Sequence, residues 1–234
     1  MMRHSKRYRK AVEGTDRQRT YTLDEAVAIV KARATAKFDE SVDIAVRLGI
    51  DPKKQDQAVR GTVALPHGTG KRVRVLVFCK GDKEAEAKAA GADYVGFEDL
   101  VQKISEGWLE FDAAVATPDT MPVVGRLGKI LAPKGLMPSP KTRTVTFDVG
   151  PAVAALKAGQ ISYRADKTGN VHALVGKASF GHQQLAENVR TFMVELLRAK
   201  PASAKGQFVR KVVLSSTMGP AVKVDTREFL AAGR

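Results

Sequence analysis

The sequence has few of the residues that most enzyme and cofactor chemistry requires. It holds one cysteine, Cys79, inside the apolar run VRVLVFCK, so no disulfide framework can form and the thiol reads as a small core hydrophobe. Its four histidines, His4, His67, His172 and His182, show neither i,i+4 pairing nor cysteine company. A metal site built from histidine needs one or the other, so no metal and no cofactor are expected. No GxSxG elbow is present. No run approaches the roughly 18 consecutive apolar residues of a membrane span. The amino terminus is polar and basic without an apolar signal core, so a cytoplasmic protein with no membrane partner is expected. No internal repeat is visible.

Phosphate loops are missing as well. A Walker loop places a glycine five residues before its Gly-Lys pair and a hydroxyl after it, because backbone amides cradle phosphate and the hydroxyl binds magnesium. In LPHGTGKR those places hold Leu65 and Arg72. A dinucleotide fingerprint needs three glycines after its strand, and CKGDKEAE has one. The expectation is a protein that is not an enzyme; a nucleotide-binding enzyme of Rossmann-like type is the competing class.

Acidic residues are scarce: 25 Asp and Glu face 39 Lys and Arg, a net charge of +14. Such an excess favours a polyanionic partner. The charge is unevenly spread. Residues 68–159 carry 13 basic and 11 acidic side chains, whereas the rest of the chain carries 26 and 14. The first 20 residues, with Arg3, Lys6, Arg7, Arg9, Lys10, Arg17 and Arg19, read as a basic arm without sustained helical periodicity, of the kind that orders on nucleic acid.

What is abundant is apolar patterning, since 44% of the residues are hydrophobic. Thr22 and Glu25 form a capping box, followed by Leu23, Ala26, Val27, Val30 and Ala34 on one helical face. Val42, Ile44, Val46 and Leu48 alternate as a half-buried strand, and Val59, Val63 and Leu65 suggest another. The middle of the chain changes style. VRVLVFC is a doubly buried strand, DKEAEAKAAGA and EDLVQKISEG are helices, DYVG, AAVAT and TVTFDV are strands, and PAVAALKAG is a short helix. Beyond it, QISYRAD and NVHALVGKASF flank DKTGN as a hairpin. A helix QQLAENVRTFMVELLRA follows, with Leu185, Val189, Phe192 and Leu196 on one stripe, and then strands QFVRKVVLSS and AVKVD around TMGP.

The stretch GKILAPKGLMPSPK combines three lysines, three prolines and two glycines. Prolines at 133, 138 and 140 fix φ and remove amide donors, so APKGLMPSPK is expected as a stiff extended surface loop with solvent-facing lysines.

Four stretches together, AKFDESVDIAVRLGIDP, GKILAPKGLMPSPK, DKTGNVHALVGKASF and SSTMGPAVKVD, resemble the large-subunit ribosomal protein L-one family of the mobile ribosomal stalk, in order and spacing over residues 21 to 225. The family's motif usually has Gly where Ala132 stands and often Asn where Ser139 stands. The resemblance implies an α+β first domain with an antiparallel sheet, built from both termini (1–67 and 160–234), and an inserted α/β Rossmann-like three-layer second domain (68–159). It implies a protein that is monomeric outside the ribosome. Its implied partners are 23S ribosomal RNA of the stalk, exit-site tRNA during translation, and the leader of its own messenger RNA, whose translation it represses.

Carried over by the same resemblance, the RNA-binding surface comprises Lys37 and Phe38 with Glu40 and Ser41, then Arg164 with the turn Asp166, Lys167 and Thr168, and a centre at Thr217, Met218 and Gly219. Glycine allows close backbone approach to a sugar edge, and the Thr217 hydroxyl can pair with a 2′-hydroxyl. Two plainer readings stand beside it. TMGP can be only a hairpin turn, and Phe38 can be a helix-end staple packed into the core.

Overall fold

A computed structural model describes residues 5–13, 16, 18–81 and 83–232. Of the residues singled out above, Arg3, His4 and Arg17, and Asp82 of the DKEAEAKAAGA helix, lie outside the described residues. In chain order the elements are α1 (Lys6–Val12), α2 (Leu23–Arg33), β1 (Ser41–Leu48), β2 (Arg60–Ala64), β3 (Val75–Phe78), α3 (Lys83–Ala89), β4 (Tyr94–Gly96), α4 (Glu98–Ser105), β5 (Ala113–Ala116), α5 (Met121–Val124), α6 (Gly128–Leu131), α7 (Val149–Lys157), β6 (Gln160–Arg164), β7 (Asn170–Lys177), α8 (His182–Arg198), β8 (Val209–Ser216), β9 (Val222–Val224) and α9 (Arg227–Ala232). They gather into two compact units. One is made by the chain up to Gly70 and from Ile161 onward, the other by Lys71–Gln160.

In the first unit a four-stranded sheet runs in the order β7-β1-β8-β9, antiparallel throughout. The period-2 pattern of β1 buries Val42, Ile44, Val46 and Leu48 on one face. There they meet Leu23, Ala26, Val27 and Val30 of α2 and Leu185, Val189, Phe192 and Leu196 of α8 in one core. Burying each of the valine, leucine, isoleucine and phenylalanine side chains is worth about 1.5–3 kcal/mol over leaving it exposed. The α2 capping box is present: Glu25 N donates to Thr22 Oγ1 at 3.3 Å and Thr22 N to a Glu25 carboxylate oxygen at 3.1 Å. Lys31 at the far end of α2 donates to the Phe180 carbonyl.

Two expectations need correction here. The basic arm holds a helix, because Ser5 caps Tyr8 N at 3.3 Å and Ala11 is buried. Its open C-terminal end is closed by Arg33, which donates to the Glu13 carbonyl at 2.6 Å. A cation at the last carbonyls suits a helix C-terminus. The expected DKTGN hairpin is only a tight turn, in which Asp166 N donates to Asn170 O at 2.8 Å. The flanking strands part at once, β6 to pair with β2 and β7 to pair with β1, leaving one bridge between Ala165 and Val171.

The second unit is a parallel sheet of order β4-β3-β5. Both faces of β3 are covered: Leu76 and Phe78 pack with Leu100 and Ile104 of α4 and with Leu131, while Val75 and Val77 pack with Ala87 of α3 and Val153 of α7. This explains why VRVLVFC shows no alternation. Asp112 ties the entry to β3 to the entry to β5, with Lys71 Nζ at 2.6 Å and Arg74 Nε at 3.1 Å. The expected strand TVTFDV is reduced to a single bridge between Val145 and Ala116. After it, Asp148 N donates to Thr146 Oγ1 at 3.1 Å and the chain turns into α7, leaving Phe147 exposed.

The proline-rich stretch is more anchored than an extended loop. It begins within the short α6, turns at Gly135 with φ of +70°, and presses Leu136 and Met137 onto the second unit's core. Its lysines, Lys129, Lys134 and Lys141, are exposed. Ser139 caps the next turn by accepting from Lys141 N at 3.3 Å.

Candidate nucleic-acid interface

Among the described residues the four-stranded sheet packs one face against α2 and α8, and the candidate residues collect at its two ends. At the first end, β1 begins and β8 finishes side by side, with Val42 opposite Ser216. Ser41 N donates to Thr217 Oγ1 at 3.0 Å, and Thr217 N donates back to Ser41 O at 3.0 Å. On the other flank Lys177 Nζ donates to Ser41 Oγ at 2.9 Å. Asp39 takes the N–H and the hydroxyl of Ser179 at 3.1 and 2.8 Å. The segment from Asp39 to Ser41 is thus pinned from both sides, and Lys37, Phe38 and Asp39 are exposed beside it.

Phe38 is 56% exposed, which excludes the staple reading; Met218 is 46% exposed. Both flank the paired end of β1 and β8. The Thr217 hydroxyl is partly committed. It accepts from Ser41 N and lies 3.3 Å from the Ser41 carbonyl as donor, so one lone pair stays open to a ligand. Gly219 has a reason of its own. A Cβ there would stand 2.4 Å from Ser216 Oγ.

Glu40 departs from its expected role. It is 2% exposed, and its carboxylate accepts from Ala36 N at 2.8 Å, Ser216 Oγ at 2.8 Å and Met218 N at 2.9 Å. Burial alone would raise its pKa; the three hydrogen bonds, led by Met218 N, and the charge of Arg7 outweigh burial and hold it below the ordinary carboxylate value. The signal was in the sequence. Glu40 shares the parity of Val42, Ile44 and Val46, and Ser216 that of Val212 and Leu214, so the same alternation that buries the core points both inward.

The second group lies at the other end of β1. Asn170 opposite Arg47 fixes the turn of Asp166, Lys167 and Thr168, with exposed Arg164 at the end of β6 beside it. From Ser41 to Arg47 is about 20 Å of strand. The two groups are therefore ends of one strip, not one cluster. Asp166 organises its turn by accepting from Asn170 N, Thr168 Oγ1 and Thr168 N, each at 2.8 Å. These bonds, with Asn170 N first, lower its pKa to about 2. Because the native value is depressed, the stabilisation is complete above the roughly 3.9 of an unfolded aspartate and is lost as pH falls toward 2. An NMR acid titration is expected to show the Thr168 and Asn170 amides shifting together through that window. Amide shifts centred on pH 4 or above would remove Asp166 from this role.

The competing nucleotide site can be examined where an open α/β sheet would place it, at the carboxyl ends of strands where the winding reverses. Here that point lies between β3 and β5, and protein groups fill it. Thr117 N donates to Phe78 O at 3.0 Å, and the Thr120 hydroxyl, fully buried, donates to Thr117 O at 2.8 Å. Lys80, next along, lies over the Phe97 ring at 4.1 Å. Cys79 is buried, and burial pushes its pKa up to about 11, so it is a neutral thiol. Of the histidines, His67 Nε2 lies 2.5 Å from Glu187, and His182 Nε2 lies 2.8 Å from Asp24 O.

One positioning residue escaped the sequence reading altogether. Asn188 of α8 is fully buried and holds His67 N, Gly68 O and Val175 O. A polar residue three positions after Leu185 and four before Phe192 is the signal that marks it.

The profile of the Ribosomal protein L1p/L10e family matches residues 30–220, a span that includes both groups of candidate residues. The large ribosomal subunit protein uL1 of Thermobifida fusca (strain YX) is 56% identical over 234 residues, covering 99% of this chain and 100% of the relative. Similarity of that extent covers almost all of both compact units. The chain belongs to the ribosomal protein L1p/L10e family.

Proposed function

We propose that this chain is a structural, nonenzymatic protein of the large ribosomal subunit, and that its discontinuous first unit binds 23S ribosomal RNA at the mobile stalk. The observation that carries the reading is the knitted end of the sheet. Two segments from opposite parts of the chain are locked together by hydrogen bonds, yet present Lys37, Phe38 and Met218 outward. Aromatic and apolar side chains beside a cation suit unstacked bases and ribose edges, and rigid backbone suits recognition by shape. The strip runs on to Arg164, Lys167 and Thr168. Between the ends the open sheet face carries Arg47, His172 and Lys211 around a shallow cleft of about 250 Å³. The same surface takes the leader of the protein's own messenger RNA, with repression as the result, and the complex moves with exit-site tRNA. The protein is a monomer until it joins ribosomes in the cytoplasm.

Binding to a transcribed stalk fragment of 23S ribosomal RNA, against mixed-sequence duplex RNA of equal length, tests this. Met218→Ala and Thr217→Val are expected to weaken stalk binding about tenfold or more, the scale of truncating one well-placed interface side chain, and to leave duplex binding unchanged. Lys167→Ala is expected to lower the salt slope by roughly 0.7–0.9 for each phosphate that the lysine neutralises. The messenger leader is expected to compete with the stalk fragment. Equal losses on both RNAs for Met218→Ala would show attraction by charge alone.

A further inference from the structure

We propose that Glu40 is the positioning residue of the RNA surface: without touching RNA, its buried carboxylate sets where Phe38 and Met218 stand. The inference rests on the RNA-binding reading above. A carboxylate 2% exposed cannot reach a ligand, and an anion turned toward phosphate would oppose binding. Its bonds point instead at the two prongs. One oxygen holds Ala36 N at 2.8 Å, two residues before Phe38, and the other holds Met218 N at 2.9 Å and Ser216 Oγ at 2.8 Å. The main chain of Glu40 is fixed as well, because Ala178 N donates to its carbonyl at 2.8 Å.

Among the described residues, three large apolar side chains are markedly exposed, and two of them, Phe38 and Met218, depend on this single carboxylate. Left to themselves, such side chains would fold back onto apolar surface, because exposure gains them nothing. The clamp prevents that by fixing the backbone on which each one stands. The backbones that carry Phe38 and Met218, far apart in sequence, are thereby tied to one carboxylate.

The test is Glu40→Gln, which keeps the shape and replaces one acceptor with a donor facing donors. Stalk-fragment binding is expected to fall about tenfold or more, the scale of removing one charge-assisted hydrogen bond. Duplex binding and the salt slope are expected to stay at wild-type values, since every phosphate-facing cation is kept. In a Met218→Ala background the same substitution is expected to cost less than about threefold, because the prong it positions is gone. Full independent losses in the double variant, a changed salt slope, or equal losses on both RNAs would each overturn the positioning role. Circular dichroism and a thermal melt establish folding first. Should Glu40→Gln fail to fold, Ser216→Ala carries the same test and the same expected coupling to Met218→Ala, because it leaves the carboxylate in place. A wild-type protein without preference for the stalk fragment sinks the RNA reading itself, whereas a wild-type preference that Glu40→Gln leaves intact sinks the positioning role alone.

Discussion

Gly219→Ala is expected to destabilise the protein by about 1–2 kcal/mol, and the penalty is expected to vanish when Ser216 is replaced by alanine as well. The backbone at Gly219 is not in the left-handed region, so an added methyl meets no conformational strain and would by itself gain about 0.4–1 kcal/mol through the unfolded chain. What it meets is Ser216 Oγ, at 2.4 Å. That hydroxyl cannot swing away freely, because it donates to Glu40 at 2.8 Å. Rotating it out leaves a buried anion short of one donor, a loss of about 1.5–3 kcal/mol. In Ser216→Ala the hydrogen bond is already absent, and the new Cβ would sit 3.6 Å from the Cβ of residue 216, ordinary van der Waals distance. Chemical denaturation of the two single variants and the double variant therefore measures a coupling of about 2 kcal/mol. Additive losses would show that glycine is needed here for another reason. Glycine at 219 thus serves the fold and the surface together: it makes room for the hydroxyl that holds the clamp.

Which parts of this arrangement could be read from sequence follows from the range of the interactions. The alternation of β1, the α2 capping box and the stripe of α8 are local, so residues a few positions apart specify them. The doubly buried β3 was legible for the same reason. The failures involve partners far along the chain. Ser5 could start α1, but Arg33 finishes it from 20 residues beyond Glu13. The strand pattern on both sides of Asp166 was real, yet pairing sent β6 and β7 to different sheets, which no local rule decides. Val145 had the composition of a strand and only one bridge to make. At the candidate interface, resemblance supplied the residue names and parity supplied a distinction among them. Odd positions from Ser41 along β1 face the open side, while Glu40 faces in with Val42. Reading the pattern one residue beyond the strand separates an exposed side chain from a buried one that shapes the surface.

Asn188→Leu is expected to cost about 3 kcal/mol or more, because one buried amide satisfies three main-chain groups at once. The β7 strand carries an extra residue: Val42 pairs with Gly176 and Asp43 with Leu174, so Val175 has no partner in the ladder. A bulge of this kind leaves a main-chain group to be satisfied elsewhere. Asn188 Nδ2 donates to the Val175 carbonyl at 2.8 Å and to Gly68 O at 3.0 Å, while its Oδ1 accepts from His67 N at 3.1 Å. Leucine fills the volume and satisfies none of them, and each unsatisfied buried group costs about 1–3 kcal/mol. The neighbouring Glu187 gives the contrast. Its pairing with His67 is at the surface, where solvent screens it, so Glu187→Ala is expected to cost much less than Asn188→Leu. Urea unfolding ranks the two, and hydrogen exchange at the His67 amide identifies the cause, with protection falling in Asn188→Leu. A leucine variant within about 1 kcal/mol of the wild type, with that amide still protected, would mean that the bulge closes without its asparagine. The bulge lies two residues before Lys177, which donates to Ser41, and three before Ala178, which donates to Glu40 O. A fully buried amide on α8 therefore reaches the exposed surface through the bend it stabilises in β7, and Asn188→Leu is expected to weaken stalk-RNA binding as well as stability.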